Sequence, residues 1–132
     1  MSELIKIEGV ELIGHDGIAL RRSDFETFLT QVNGCGAGNA RFDFVPDTMY
    51  GLSVTPVCNL HDDAYTFCDP TRDAFDQANT EFYENLKTWV KAKSNFITVL
   101  PRLARAKTYY EAVNKFGWSA FCECKKQLGE ME

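Results

Sequence analysis

Long apolar runs are missing from this chain, and that absence excludes several classes of protein. No stretch is long and apolar enough to span a bilayer as a helix. The first residues, Met1 to Lys6, lack the basic-then-apolar layout of a signal peptide. We therefore expect a protein that is exported without a leader, carried in a virion, delivered as an effector, or retained in the cytoplasm.

Positive charge and cysteine are also in short supply. The chain has 14 Lys and Arg against 19 Asp and Glu, a net charge of −5, which argues against nucleic acid as its main partner. Five cysteines are too few for a disulfide scaffold, and Cys68, Cys122 and Cys124 lack the further ligands that a zinc site needs. With 132 residues and 45% apolar content, we expect one globular domain covering residues 1–132.

The first quarter of the chain predicts a hairpin followed by a short helix. Apolar residues alternate with polar ones between Leu4 and Leu20, which predicts two antiparallel strands. We place the tip of the hairpin at His15-Asp16-Gly17, because Asp-Gly favours turns. Ser23 is the predicted N-cap of the helix, whose apolar face is formed by Phe25, Phe28, Leu29 and Val32.

Residues 55–65 form the most informative stretch of the sequence. Thr55 and Pro56 suit the start of a helix, because proline lacks the N–H that the first turn leaves unbonded. On such a helix His61 and Tyr65 share a face, while Asp62 points about 100° away from His61. The pattern places a proton acceptor beside a hard-cation ligand. A buried, hydrogen-bonded histidine is the plainer interpretation of the same pair.

A glycine-rich segment precedes that helix and favours the first interpretation. Gly34, Gly36 and Gly38 alternate with other residues, and such a loop is free to turn several main-chain carbonyls toward one cation. Asp62 would supply the negative charge. No lysine follows the glycines, which excludes a phosphate-binding loop. Arg41 to Val54 reads as irregular, with apolar residues that we expect to pack on the core.

The second half of the chain predicts two long helices. One runs from about Pro70 to Lys93 and the other from Leu100 to Phe116, with Gly117 as its stop. The apolar stripe of the first helix is Phe75, Ala78, Phe82, Leu86, Trp89 and Val90. Asn79 lies inside that stripe, where a polar side chain needs a partner, and we predict that this partner is His61.

Further polar and aromatic residues of these helices leave alternatives open. Asp76 is a second, less favoured partner for His61, and Tyr109 or Tyr110 is a third group that could reach the pair. Basic residues of the C-terminal half, together with Phe116, Trp118 and Phe121, suggest a surface for anionic lipid. A solvated charged face and ordinary core aromatics explain the same residues.

The segment from about Gly34 to Leu86 resembles the secreted phospholipase A2 superfamily. In that family a Tyr-Cys-Gly-x-Gly-Gly calcium loop precedes a helix with Cys-x-x-His-Asp-x-x-Tyr, and this chain has Gly34 to Asn39 followed by Cys58 to Tyr65. Its form is most similar to the compact viral and bacterial branches. The resemblance implies a mainly α, phospholipase A2-like fold with two antiparallel core helices and a small N-terminal β-hairpin. It also implies a Cys35–Cys58 disulfide, or two thiols in a reducing compartment.

The function that the resemblance implies is Ca²⁺-dependent hydrolysis of the sn-2 ester of glycerophospholipids at a phospholipid membrane surface. His61 would take a proton from water, and Tyr65 would orient it. The ligands implied for Ca²⁺ are the Asp62 carboxylate and the carbonyls of Gly34, Gly36 and Gly38. The N–H of Gly36 would help to stabilise the oxyanion.

One position departs from the family pattern. The family has an aspartate beside the histidine, whereas this chain has Asn79. Asparagine still accepts a hydrogen bond from the imidazole, but it lacks the charge that would stabilise an imidazolium. The alternative is therefore a catalytically impaired, phospholipase A2-like module that binds a ligand or forms part of a virion or effector complex.

Overall fold

The computed structural model describes residues 2–24, 26, 28 and 48–131. This part of the chain is mainly helical with small antiparallel sheets, as expected. In chain order the elements are β1 (Ser2–Ile7), β2 (Val10–His15), α1 (Ile18–Arg22), β3 (Thr48–Met49), β4 (Leu52–Ser53), α2 (Thr55–Phe67), α3 (Arg72–Lys93) and α4 (Val99–Gln127).

The N-terminal hairpin forms, but its tip is not where the sequence placed it. Strands β1 and β2 pair from Ser2 with His15 to Ile7 with Val10, so the tip is Glu8-Gly9. Both tip residues have positive φ, 52° and 79°, as a two-residue hairpin turn of the primed type requires. The prediction of His15-Asp16-Gly17 was wrong, because these residues connect β2 to α1.

Helices α2 and α3 form an antiparallel pair at the centre of the molecule. The Trp89 indole N–H near the end of α3 donates to the carbonyl of Ser53, just before α2 begins. At the opposite ends of the two helices, the rings of Tyr65 and Phe75 lie 5.7 Å apart. All members of the predicted α3 stripe are buried, and Thr71 caps α3 by accepting from the Ala74 N–H at 3.1 Å. The prediction of this helix pair is confirmed.

The last helix is much longer than the sequence suggested. Helix α4 continues through Gly117 to Gln127, so the prediction of a stop at Gly117 was wrong. Gly117 serves packing instead, because a Cβ there would lie 3.0 Å from the Tyr65 hydroxyl. The predicted lipid-facing group is also not one surface, since Phe121 and Lys125 are fully buried. The Lys125 ammonium donates to the Thr66 carbonyl at 3.1 Å, near the end of α2.

Ser23 is the C-cap of α1, and its hydroxyl donates to the Leu20 carbonyl at 2.6 Å. The helix predicted after it is present at Glu26 and Phe28, where the Phe28 N–H donates to the Asp24 carbonyl at 2.9 Å. Phe28 is buried as expected, whereas Phe25, Leu29 and Val32 lie outside the described residues. Residues 48–53, expected to be irregular, form the β3–β4 hairpin. Phe42, Phe44 and Val45 also lie outside the described part of the chain.

The cysteines differ from the pairing that the resemblance implied. Cys58 carries a thiol, as do Cys68 and Cys122, whereas Cys124 is disulfide-bonded. The implied Cys35–Cys58 disulfide is therefore not formed, and Cys35 itself lies outside the described residues. Cys58 sits in the first turns of α2 as one of the small apolar residues of the core.

Candidate functional site

The predicted partnership of His61 and Asn79 is present in the core. The Nε2 atom of His61 on α2 lies 2.8 Å from Oδ1 of Asn79 on α3, and both side chains are buried. An amide oxygen only accepts hydrogen bonds, so Nε2 must carry the ring proton. The lone pair of the neutral imidazole is therefore on Nδ1, which is the nitrogen able to take a proton.

Two more side chains fix the Asn79 amide. The Tyr65 hydroxyl donates to the same Oδ1 atom at 2.6 Å, and the Nδ2 amide of Asn79 donates to Oδ1 of Asn114 at 3.0 Å. In this arrangement Oδ1 of Asn79 receives two donors and Nδ2 donates to an acceptor, so both polar atoms of the amide are hydrogen-bonded. The network joins α2, α3 and α4 at one buried point.

Aromatic rings enclose the histidine on two sides. Its ring is stacked on Phe82 with 4.3 Å between centroids, and the Tyr65 ring lies 4.2 Å away at an angle of 53°. Such packing restricts rotation of the imidazole and keeps water from most of its faces. The environment is that of an oriented base in an apolar pocket, which is also what a structural core histidine would have.

The two acidic residues after His61 have different surroundings. Asp62 is buried on α2, and its carbonyl accepts from the Thr66 hydroxyl at 2.8 Å. Asp63 is fully buried and forms a two-point ion pair with Arg21, with Nε–Oδ1 and Nη2–Oδ2 distances of 2.7 and 2.5 Å. Asp63 thus holds α1 against α2.

The Ca²⁺ site predicted from the sequence has one of its expected ligands, Asp62, among the described residues. Among them no group of three His, Cys, Asp or Glu side chains is placed to hold a metal ion. The predicted site needs only one carboxylate, since its other ligands are main-chain carbonyls of Gly34, Gly36 and Gly38, which lie outside the described residues. A set of hard oxygen donors with one negative charge fits Ca²⁺ better than a soft transition metal.

Asp76 and the two tyrosines considered from the sequence lie elsewhere. Asp76 is exposed and paired with Arg72, so it does not substitute for Asn79. The Tyr109 hydroxyl donates to the Thr48 carbonyl at 2.8 Å, and Tyr110 stacks on Tyr83.

Asn114 is the partner that sequence reasoning missed. It lies in α4, one turn beyond Tyr110. Asparagine is a poor helix former, so its position inside a long helix was a sequence signal for a side chain with a specific polar partner.

A cleft lies beside the histidine. It has a volume of about 280 Å³ and lies where the β2–α1 turn faces the end of α2 and the start of α3; its lining includes His15, Asp16, Cys68, Asp69, Gln77 and Glu81. A second, much smaller pocket of about 10 Å³ reaches His61 itself. The two share His15, Ala64, Ala78 and Glu81 in their linings. His15, interpreted from the sequence as a turn residue, therefore lies at the edge of the site.

Comparisons with known proteins give no relative for this chain. It matches no protein-family model, no curated protein and no solved structure. Within the described residues, no helix combines the length and the apolar character needed to cross a membrane.

Proposed function

We propose that this protein hydrolyses the sn-2 ester of glycerophospholipids in a Ca²⁺-dependent reaction, on a phospholipase A2-like fold. The observation that carries the proposal is the buried hydrogen bond from His61 to Asn79, with Asp62 next to the histidine in the chain. The antiparallel pairing of α2 and α3 around that bond, and the small β1–β2 hairpin beside it, support the same fold.

In the proposed reaction His61 is the general base. Asn79 holds the Nε2–H tautomer, so Nδ1 takes a proton from a water molecule, and the resulting hydroxide attacks the ester carbonyl. The tetrahedral intermediate then breaks its bond to the glycerol oxygen, and Nδ1 returns the proton to that oxygen, which leaves as the alcohol of the lysophospholipid. Tyr65 donates to the same Asn79 oxygen and keeps the amide in place, which makes it a positioning residue. Packing against Phe82 limits rotation of the ring during proton transfer.

The Asp62 carboxylate and the carbonyls of Gly34, Gly36 and Gly38 would hold Ca²⁺. When bound, the ion supplies positive charge that offsets the oxyanion formed from the ester carbonyl. The Gly36 N–H would donate a hydrogen bond to the same oxygen.

The neutral Asn79 favours a second candidate function. A carboxylate at this position would stabilise the imidazolium formed during proton transfer, whereas an amide oxygen contributes only its dipole. A catalytically impaired phospholipase A2-like module would keep the fold and bind lipid, or serve as a structural part of a virion or effector complex. Co-sedimentation with assembled particles, together with no lipid binding by the isolated protein, would favour this candidate.

The partner that we propose is the surface of a phospholipid membrane, with no role for nucleic acid. The net charge of −5 supports the exclusion of nucleic acid, because phosphate contacts need an excess of Lys and Arg.

Fatty-acid release from phospholipids with distinguishable acyl chains tests the proposed reaction. We expect the chain at the sn-2 position to be released in the presence of Ca²⁺ and not in EGTA. The His61→Gln variant should lose release while keeping its circular dichroism spectrum. Release from the sn-1 position, or release that persists in EGTA, would contradict the proposal.

A further inference from the structure

The connection between α3 and α4 presents three apolar side chains to solvent. Phe96, Ile97 and Leu100 are 88, 69 and 71% exposed. They lie within five consecutive positions, so they form one protruding group, which we call the apolar tip. Isolated exposed apolar residues are common on protein surfaces, but a group of large ones on one protrusion indicates a binding surface.

Hydrogen bonds hold the apolar tip in place. The Asn95 side-chain oxygen accepts from the N–H groups of Ile97 and Thr98, both at 2.9 Å. The Thr98 hydroxyl in turn accepts from the Asn95 N–H at 3.1 Å. The turn is therefore closed by its own polar side chains, and the apolar residues project outward from a fixed backbone.

The sequence on both sides of the apolar tip carries charge of one sign. From Asn85 to Tyr110 the sequence has no Asp or Glu, although the whole chain is acidic with a net charge of −5. The basic residues of this stretch are Lys87, Lys91, Lys93, Arg102, Arg105 and Lys107. Lys93 is paired with Glu8 and Lys87 with Glu84, so the excess of positive charge at this end of the α3–α4 pair comes mainly from Lys91, Arg102, Arg105 and Lys107. This excess complements an anionic surface.

The β3–β4 turn extends this surface. The Arg102 guanidinium donates to the Tyr50 carbonyl at 2.8 Å, and Arg105 donates to the Tyr50 hydroxyl at 3.0 Å. Tyr50 is itself exposed, so an amphipathic ring lies beside two arginines. Tyrosine and arginine are favoured at the headgroup level of a bilayer, where rings and cations both find partners.

We propose that the apolar tip and the basic residues around it form the site by which this protein docks on an anionic phospholipid bilayer. Phe96, Ile97 and Leu100 enter the boundary between headgroups and acyl chains, while the Lys and Arg side chains contact lipid phosphates. Aliphatic residues at the tip fit lipid better than nucleic acid, which would call for stacking rings. This deepens the proposed function, on which it rests for the identity of the substrate, by naming the surface that holds the protein on the lipid bilayer.

Vesicle co-sedimentation in EGTA tests docking separately from hydrolysis. The intact protein should pellet with vesicles of phosphatidylglycerol and phosphatidylcholine, and much less with phosphatidylcholine alone. The double variant Phe96→Ser and Ile97→Ser should weaken binding by about tenfold or more, because two apolar side chains that would be buried in the bilayer are lost. The matched control is Leu4→Ser with Leu20→Ser, since these residues are 64 and 80% exposed elsewhere and their loss should leave binding unchanged.

Charge reversal gives the second arm of the test. Lys91→Glu with Lys107→Glu should weaken binding to anionic vesicles by about tenfold or more. The matched control, Lys115→Glu with Lys126→Glu, also reverses two exposed charges but lies outside the basic stretch, and should have a smaller effect.

Four results would overturn the proposal. The first two are vesicle binding by the Phe96/Ile97 variant that equals that of wild type, and wild-type binding without preference for anionic vesicles. The other two are a wild-type dimer in light scattering that this variant abolishes, and tight binding of the wild type to nucleic acid. Hydrolysis of a monomeric short-chain phospholipid by the same variant should be unchanged. If vesicles bind but no lipid is ever hydrolysed, docking stands and the proposed function fails.

Discussion

At the scale of single residues, Asn79 connects the side chains on which the site depends. It accepts from His61 and Tyr65 and donates to Asn114. The sequence was sufficient to predict the His61–Asn79 bond, because a polar residue in an apolar stripe must find a partner. Asn114 carries a local signal as a poor helix former within α4, but its partner depends on the rotation of α4 about its axis, which tertiary packing sets.

Asn79→Asp tests whether the neutral amide limits turnover. The new carboxylate would still accept from His61 and Tyr65, and the Asn114 amide could rotate to donate to it. We expect kcat to rise by about one order of magnitude or more, since Asp→Asn at the corresponding position of a serine-protease triad removes about four orders. Steady-state fatty-acid release measures this, with Asn79→Leu as the inactive control. A wild type without turnover and an active Asn79→Asp variant would instead favour the impaired module.

Tyr65→Phe tests the positioning of Asn79. Removing the hydroxyl deletes one of the two hydrogen bonds at Oδ1, and we expect a loss of about 1 kcal/mol in the free energy of unfolding. Tyr110→Phe is the control, because Tyr110 stacks on Tyr83 and is not part of the network. Urea denaturation measures both variants. Equal stability of Tyr65→Phe and wild type would show that the hydroxyl bond does not contribute.

At the scale of elements, helix α2 carries the proposed general base on one side and an ion pair to α1 on another. His61 faces α3, whereas Asp63 receives Arg21 from α1. Arg21 also donates to the carbonyls of His15 and Asp16, at 3.2 and 2.6 Å, so one guanidinium fastens the end of the hairpin to α2. Periodicity predicted α2 and α3 to within two residues, but this anchor joins positions 42 residues apart, beyond the reach of local patterns.

Arg21→Met should destabilise the fold strongly. The Asp63 carboxylate is 0% exposed, so removal of the guanidinium leaves a buried charge without its counter-ion. We expect a loss of about 3–5 kcal/mol in the free energy of unfolding. Lys87→Met, which breaks the more exposed pair with Glu84, should cost less than about 1 kcal/mol. Thermal and urea unfolding of both variants checks the contrast, and similar losses would contradict the assigned role of Arg21.

The errors at turns have a common physical cause. His15-Asp16-Gly17 and Glu8-Gly9 both suit a turn chemically, and only the pairing of β1 with β2 selects the second as the hairpin tip. Gly117 suits a helix end equally well, but contact with Tyr65 and Phe75 makes it a packing position inside α4. In each case tertiary contacts chose between local alternatives.

At the scale of the whole molecule, burial decides the behaviour of the cysteines. Burial raises the pKa of the Cys68 thiol to about 11, although the nearby Lys125 ammonium opposes the shift. Cys58 is buried too, whereas Cys122 is partly exposed. The chemistry of each thiol therefore depends on its depth in the fold and not on its spacing in the sequence.

Alkylation by iodoacetamide should distinguish these thiols. At pH 8 in the native protein we expect Cys122 to be modified first, with Cys68 and Cys58 modified only after unfolding, because the thiolate is the reactive form. In the folded state Cys68 keeps its proton up to about pH 11, whereas the reference pKa of a cysteine thiol is 9.0. Stability should therefore fall as pH rises from about 9 through about 11. Peptide mass mapping checks the order, and rapid native labelling of Cys68 would contradict its burial.

Calcium titration coupled to fatty-acid release is the most direct test of the central claim, that His61 and Asp62 have separate roles in one hydrolytic site. Wild type should bind Ca²⁺ and release fatty acid in proportion to the bound fraction. His61→Gln should bind Ca²⁺ normally without release, and Asp62→Asn should lose both while keeping its helical content. Unchanged calcium affinity in Asp62→Asn, or continued release by His61→Gln, would contradict the account.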